Sequence, residues 1–308
     1  MTNNTRGTVI ESTGSHYVIE TSEGEYLEMR MRGKLRLNDK RTTNPIAVGD
    51  IVEYEISETG EAAITEILPR RNYLIRRASN LSKESHIIAS NIDRVLIVAT
   101  LFEPVTTTEF IDRCLVTCEA YGLPTTIVLN KLDLASAHPE LLKEFISIYK
   151  SAGYETCCVS ALTGEGTESL YELIADGTVL LTGNSGSGKS SLIKRLVPEA
   201  GVRIHKISDH HRKGMHTTTF ARMYHVAGGG RIIDTPGIKG FGLVEITPDE
   251  IFRYFPEFMK YGTDCQYYNC THTHEPGCAV VAAVEEGQIS LKRYESYLKL
   301  LDEDGKYR

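Results

Sequence analysis

The chain has 308 residues, 41% hydrophobic and 24% charged, with a formal net charge of −7, a size that buries a substantial core and leaves room for two or three domains. No apolar run is long enough to span a bilayer, and the start MTNNTRGTVIESTG lacks a basic segment followed by an apolar one, so the expectation is a soluble, cytoplasmic protein without a membrane partner. The acidic balance argues against nonspecific coating of nucleic acid, which leaves a local basic face as the route to a structured partner.

From about Thr8 to Leu68 the runs GTVIES, HYVIET, YLEMRM, DIVEYEIS and AAITEIL are divided by Gly14, SEGE, VGD and ETGE. Period-two alternation broken by turn residues predicts five short antiparallel strands over residues 1–70, an OB-fold barrel with an SH3-like barrel as its competitor. In MRMRGKLRL, Arg30, Arg32, Lys34 and Arg36 alternate with apolar residues, so on an extended strand all four cations face one way. Neighbouring like charges repel, and RNA contact is the expected use of this stripe. The basic segment LPRRNYLIRRAS that follows is expected to be irregular.

Over residues 80–243 the apolar runs IDRVLIVATL, PTTIVLNK, ETCCVSAL, TVLLTG and GRIIDTPG recur, with the helix-like segments TEFIDRCLVTCEAYG and PELLKEFISIYKSAG among them. This alternation predicts an α/β sheet with helices on both faces. Residues 244–308 read as mainly helical around a Cys/His cluster, ending in a helix that Ser290 can cap and on which Tyr294, Leu298 and Leu301 share a face.

The strongest chemical signal is GNSGSGKSS, from Gly183 through Asn184, Ser185, Gly186, Ser187, Gly188 and Lys189 to Ser190 and Ser191. It has Walker A spacing between a strand and a helix, so backbone N–H groups and the helix N-terminus can surround phosphate oxygens. Lys189 is placed for the β/γ-phosphates and Ser190 for Mg²⁺. In DTPG, Asp234 can hold Mg²⁺ through water and the Gly237 N–H can sense a γ-phosphate. NKLD chooses the base: Asp133 can accept two hydrogen bonds from guanine, a donor pair adenine lacks, while Asn130 and Lys131 brace the pocket and Leu132 completes the GTP-binding segment. In SAL, Ser160 closes the strand and the Ala161 N–H can reach guanine O6. The base-reading element precedes the phosphate loop, the reverse of small GTPases. A doubly wound sheet gathers its ligand-holding loops at the carboxyl ends of several strands, so a circular permutation preserves the site.

Seven cysteines fall unevenly: Cys114, Cys118, Cys157 and Cys158 lie in apolar contexts, while Cys265, Cys270 and Cys278 cluster with histidines. Three thiolates and one imidazole in C-x4-C-x-H-x5-C suit a tetrahedral, closed, structural Zn²⁺ site, with His272 and His274 both eligible. Three cysteines cannot all pair among themselves, so disulfides are the weaker reading. Ile238 stands where Ras-like GTPases place the glutamine that orients the attacking water. The internal substitute is His216 in GMHTTTF, beside Thr217 and Thr218, either of which can link to Mg²⁺.

With RGKLR, VGD, NIDRVLIV, NKLD, GNSGSGKSS, GMHTTT, DTPGIKGFG and CQYYNCTHTHEPGC in this order, the chain resembles the ribosome small-subunit-dependent GTPase family RsgA (YjeQ) over nearly its whole length. The resemblance implies a multidomain protein with an OB-fold barrel, a circularly permuted P-loop GTPase domain and a zinc-binding domain, acting late in assembly of the small ribosomal subunit. It selects His272 over His274 as the fourth ligand and also points to His216. The expected function is GTP hydrolysis to GDP and phosphate, stimulated by the subunit and its rRNA, by a monomeric protein. The alternatives are a GTPase switch on another RNA or protein target and a nucleotide-sensing RNA-binding module with little hydrolysis.

Overall fold

The computed structural model describes residues 5–32, 45–77, 85–198, 221–235 and 246–306. In chain order the elements are β1 (Thr5–Ser12), β2 (Tyr17–Thr21), β3 (Tyr26–Met31), β4 (Ile51–Ile56), β5 (Ala62–Ile67), β6 (Tyr73–Arg77), β7 (Ser85–Ser90) and β8 (Arg94–Ala99). Then come α1 (Thr108–Ala120), β9 (Thr125–Leu129), α2 (Leu132–Ala135), α3 (Pro139–Ser151), β10 (Glu155–Cys158), α4 (Thr167–Ile174), β11 (Thr178–Gly183) and α5 (Lys189–Leu196). The last are β12 (Arg222–His225), β13 (Arg231–Asp234), a 3₁₀ segment (Pro248–Tyr254), α6 (Pro256–Gly262), α7 (Ala279–Glu285) and α8 (Leu291–Lys306). They group into two compact units, one drawn from 1–95, 170–182 and 189–238, the other from 96–169, 183–188 and 239–308.

In the first unit β1 pairs with β2 and with β4, β2 with β3, β3 with β5 in parallel, and β5 with β4. This closed five-strand order is the Greek-key barrel of the OB-fold. Its interior follows the alternation: Val9, Tyr17, Ile19, Met29, Val52, Tyr54 and Ile64 are all at most 3% exposed. The VGD turn fastens the barrel to the segment after it. Gly49 has φ +96°, and a Cβ there would fall on the Ser90 carbonyl. The fully buried Asp50 carboxylate receives Arg70 Nε and Nη2 at 2.7 Å, Ser90 Oγ, and the Ala47 N–H at 2.8 Å.

The segment LPRRNYLIRRAS is not irregular throughout: β6 pairs with β7 in an antiparallel ribbon. The flanking arginines mask a short apolar run in which Leu74 is 0% and Ile75 4% exposed. Beyond the barrel, β1 also pairs with β12 at Glu11 and Arg222, which form an ion pair at 2.6 Å. Next to it β12 pairs with β13 and β13 with β11 in parallel, Leu181 opposite Asp234. The chain leaving β11 and the carboxylate closing β13 therefore emerge at one edge of the sheet.

In the second unit β9 lies between β8 and β10, and β9 and β10 are parallel with Leu129 opposite Cys158. A separate apolar cluster joins Val116 of α1 to Ile251, Phe255, Phe258, Val280, Tyr297 and Leu300. On α8 the buried face is Arg293, Ser296, Tyr297 and Leu300, whereas Leu298 is 36% exposed. Of the expected face, Tyr294 and Leu301 pack against this cluster while Leu298 does not, because a buried arginine and serine occupy positions that periodicity assigns to water.

Candidate functional site

The NKLD segment leaves β9 through a left-handed residue, Lys131 with φ 62°, and turns at once into α2. Asn130, 1% exposed, works in three directions. Its Nδ2 donates to the Ser187 carbonyl at 2.8 Å, its Oδ1 accepts the Ala161 N–H at 3.0 Å, and its own N–H reaches the Ala99 carbonyl at 2.8 Å. A Cβ on Gly188, at φ +91°, would fall on Asn130 Nδ2. One side chain therefore ties NKLD, SAL and GNSGSGKSS into one block. Ser160 Oγ donates to Asp133 Oδ1 and so orients the carboxylate proposed to read guanine. Leu132 and Asp133 are half-buried, and the Leu132 N–H donates to the Val159 carbonyl at 3.0 Å.

Within the phosphate loop Gly186 (φ +82°) and Gly188 adopt a conformation that side chains strain. Ser187 is buried, Ser185 and Gly186 are exposed, and Asn184 is half-buried. Loop 100–107, which carries no recognised motif, forms a second support. Thr106 Oγ1 donates to Asn184 Oδ1 at 2.8 Å, a Cβ on Gly186 would lie 3.0 Å from Pro104 Cδ, and the Lys131 ammonium donates to the Glu103 carbonyl. The sequence offered one hint of this loop, the Thr-rich PVTTTEF, whose Thr107 caps α1 by accepting the Phe110 N–H.

In the first unit Lys189 begins α5 and is 8% exposed, followed by the exposed Ser190 and Ser191. Asp234 is 5% exposed, and the neighbouring Thr235 Oγ1 donates to the Leu181 carbonyl at 3.1 Å. This serine hydroxyl and carboxylate are a donor set that fits Mg²⁺. His216, Thr217, Thr218, Gly237 and Ile238 lie outside the described residues, as do Lys34 and Arg36 of the basic stripe. Arg30 and Arg32 are exposed while Met29 is buried and Met31 half-buried, as alternation requires. Arg32 pairs with Glu55 at 2.7 Å and Arg30 Nε donates to His16 Nε2 at 3.1 Å.

The Cys/His segment forms one cluster. The ligand atoms of Cys265, Cys270, His272 and Cys278 all lie within 4.8 Å of one another. His272 Nδ1 is 3.6 Å from Cys265 Sγ and 3.5 Å from Cys278 Sγ, and the two sulfurs are 4.0 Å apart. Tetrahedral zinc, with Zn–S about 2.3 Å and Zn–N about 2.0 Å, has edges of roughly 3.8 and 3.5 Å, so these four donors can hold such an ion. The three cysteines form no disulfide; Cys265 is half-buried, and Cys270, His272 and Cys278 are buried.

His272, at φ 59°, is packed edge-on against Phe252 and Phe258, and burial lowers its pKa, leaving a neutral imidazole as donor. His274 is exposed and bonds Thr273. The knuckle is fixed from both sides. Glu275 accepts the Thr271 N–H at 2.8 Å and Thr271 Oγ1 at 2.6 Å, while Tyr294 and Tyr297 donate to the carbonyls of His272 and Thr271 at 2.9 and 2.6 Å. Burial opposes ionisation of Glu275, but these hydrogen bonds outweigh it and hold its carboxyl well below the usual range.

Two family models together cover most of the chain up to residue 244. The RsgA GTPase family matches residues 67–244, and the RsgA N-terminal domain matches residues 6–64. The chain belongs to the RsgA GTPase family. Relatives named small ribosomal subunit biogenesis GTPase RsgA include one from Bacteroides fragilis, 50% identical over 98% of this chain and 99% of its own length. Another, from Porphyromonas gingivalis, is 48% identical over 98% of each chain. The fold is similar to the crystal structure of YjeQ from Thermotoga maritima, with a TM-score of 0.74, 34% identity, and coverage of 97% of this chain and 98% of that one. It is also similar to YloQ, described as a circularly permuted GTPase, with a TM-score of 0.72, 26% identity, and coverage of 99% and 96%. The GTPase domain of this RsgA family member is therefore circularly permuted, and among the described residues no helix is long and apolar enough to cross a membrane.

A metal held by the Cys/His cluster makes one direct prediction. Cys270→Ser should reduce bound zinc from about one per chain to near zero by elemental analysis and expose residues 250–306 to proteolysis, because binding energy at such sites is also folding energy. Full zinc content in the variant would reject this ligand set.

Proposed function

We propose that this chain hydrolyses GTP as a late maturation factor of the small ribosomal subunit, with turnover stimulated by that subunit. The observation that carries the nucleotide assignment is Asn130, whose side chain links the guanine-reading segment, the Ala161 N–H and the phosphate loop in one unit. The subunit assignment is supported by the names of relatives that match this chain almost end to end. Residues 1–70 serve as the RNA-binding barrel, 80–243 as the permuted GTPase domain and 244–308 as the zinc-binding domain, in a monomeric cytoplasmic protein.

In this reading the N–H groups of Gly183 to Ser191 surround the phosphates and Lys189 neutralises their charge. Ser190 and Asp234, with Thr217 or Thr218, hold Mg²⁺, which supplies charge neutralisation at the β- and γ-phosphates when bound. The Gly237 N–H senses the γ-phosphate, and His216 orients water in place of the missing glutamine. Zn²⁺ on Cys265, Cys270, His272 and Cys278 is structural. Arg30, Arg32, Lys34 and Arg36 meet rRNA, with Arg32 exchanging Glu55 for phosphate.

Two measurements test this. Co-sedimentation with isolated small ribosomal subunits should require a non-hydrolysable GTP analogue and fail with GDP; equal recovery with both nucleotides would remove the subunit as a GTP-dependent partner. Asp133→Asn should weaken GTP binding by about 10²-fold, since a hydrogen-bonded charged acceptor is lost, and should favour xanthosine triphosphate, whose C2 carbonyl accepts from the new amide. Retained GTP selectivity would sink the base-reading role.

A further inference from the structure

Helix α1 engages two places that no motif connects. At its N-terminal approach lies Thr106, 6% exposed, whose Oγ1 accepts the Thr100 N–H at 2.9 Å and donates to Asn184 Oδ1 of the phosphate loop at 2.8 Å. On its body lies Asp112, fully buried, which accepts Arg293 Nη1 of α8 at 2.6 Å. The same guanidinium, 1% exposed, donates Nε and Nη2 to Glu257 of α6 at 2.7 and 3.0 Å, and sits 4.6 Å from the centre of the Phe255 ring.

This cluster is a poor source of stability. Two carboxylates share one cation in a dry site, burial pushes the Asp112 carboxyl up to about 6 against the pull of Arg293, and buried ion clusters of this kind are often replaceable by apolar side chains without loss. What the cluster supplies is geometry. A planar guanidinium satisfies both carboxylates only when α1, α6 and α8 keep one mutual arrangement. Because α1 is a continuous helix capped at Thr107, a shift at Asp112 moves Thr106, and Thr106 holds Asn184.

We infer that Thr106 and Arg293 are coupled positioning residues for the nucleotide: the C-terminal helices set the placement of α1, and the loop before α1 sets the phosphate loop. The coupling runs through Asp112 and links the region of the Cys/His cluster to the phosphate end of the GTP site. It rests on the assignment of residues 183–191 to GTP.

The test is a double-mutant cycle on full-length, metal-loaded protein, read as affinity for fluorescent GDP. Thr106→Val keeps the volume and removes the hydroxyl, and should weaken binding about 5-fold; Thr106→Ser should restore it. Arg293→Lys keeps the charge but not the fork, and the triple change Asp112→Asn, Glu257→Gln, Arg293→Met removes every buried charge. Each should weaken binding by about 5-fold, within the usual range for coupled sites, and adding Thr106→Val should cost well under the product of the separate effects. Multiplicative effects, as expected of independent sites, or a neutral Thr106→Val, would overturn the coupling. A wild-type measurement stands beside these variants: GDP should slow amide exchange in residues 256–262 and 291–297, and unchanged exchange there counts against the proposal. Lys189→Ala is the control. If it binds GDP normally, the nucleotide assignment fails and not the coupling alone.

Discussion

Lys189→Ala is expected to lower GTP affinity by about 10³-fold while leaving the melting temperature of the nucleotide-free protein within a few degrees. The Lys189 side chain opens α5 directly after GNSGSGKSS and is only 8% exposed, so a phosphate bound there would meet an ammonium with much of its hydration already removed. Truncating one member of a desolvated, hydrogen-bonded charge pair costs about 2–5 kcal/mol or more. The glycines and backbone N–H groups of the loop remain in the variant, so weak phosphate binding should persist. Titration with a fluorescent GTP analogue checks this, and an affinity within about 3-fold of wild type would contradict the phosphate assignment.

The second large effect concerns chemistry and not binding. Isoleucine at 238 cannot orient water, so the isolated protein should hydrolyse GTP slowly and depend on a group brought into place by its partner. If His216 is that group, His216→Ala should keep wild-type GTP affinity and subunit association yet lose about 10²-fold or more of the stimulated rate, the usual scale for a positioned acid–base group. Single-turnover hydrolysis on saturating small subunits isolates the step from product release. A near-wild-type rate there would move the search to groups supplied by the ribosome.

The parts of the molecule that were legible in its sequence are those where geometry demands a residue type. The turns of GNSGSGKSS need glycine at positive φ, and Gly186 and Gly188 announce them. The barrel strands alternate because one face packs inward, so Val9, Ile19 and Met29 mark their own burial. The thiols of the Cys/His cluster were equally plain, but spacing left His272 and His274 open, since the two lie only two residues apart between Cys270 and Cys278. Burial of His272 among Cys265, Cys270 and Cys278 separates them.

Other features were hidden for physical reasons. The β6–β7 ribbon buries Leu74 and Ile75 between arginines, so charge obscured a strand. Loop 100–107 acts through hydroxyl and carbonyl groups that any threonine-rich turn offers, and only the placement of Asn184 gives Thr106 a role. Arg293 and Asp112 break the rule that charge faces water because they satisfy one another across 181 residues of sequence, a pairing that no local pattern carries. The exposure of Leu298 on α8, where periodicity assigned burial, has the same origin.

The proposed function turns on the small ribosomal subunit switching on GTP hydrolysis by this chain. The most direct measurement is phosphate release from GTP by the zinc-loaded protein, alone and with purified small subunits, large subunits or an unrelated structured RNA. The account predicts slow release alone and an increase of at least about 10²-fold with small subunits only, in keeping with the scale on which a partner completes a GTPase site. Equal rates in all four mixtures, or stimulation by the unrelated RNA to the same extent, would contradict it.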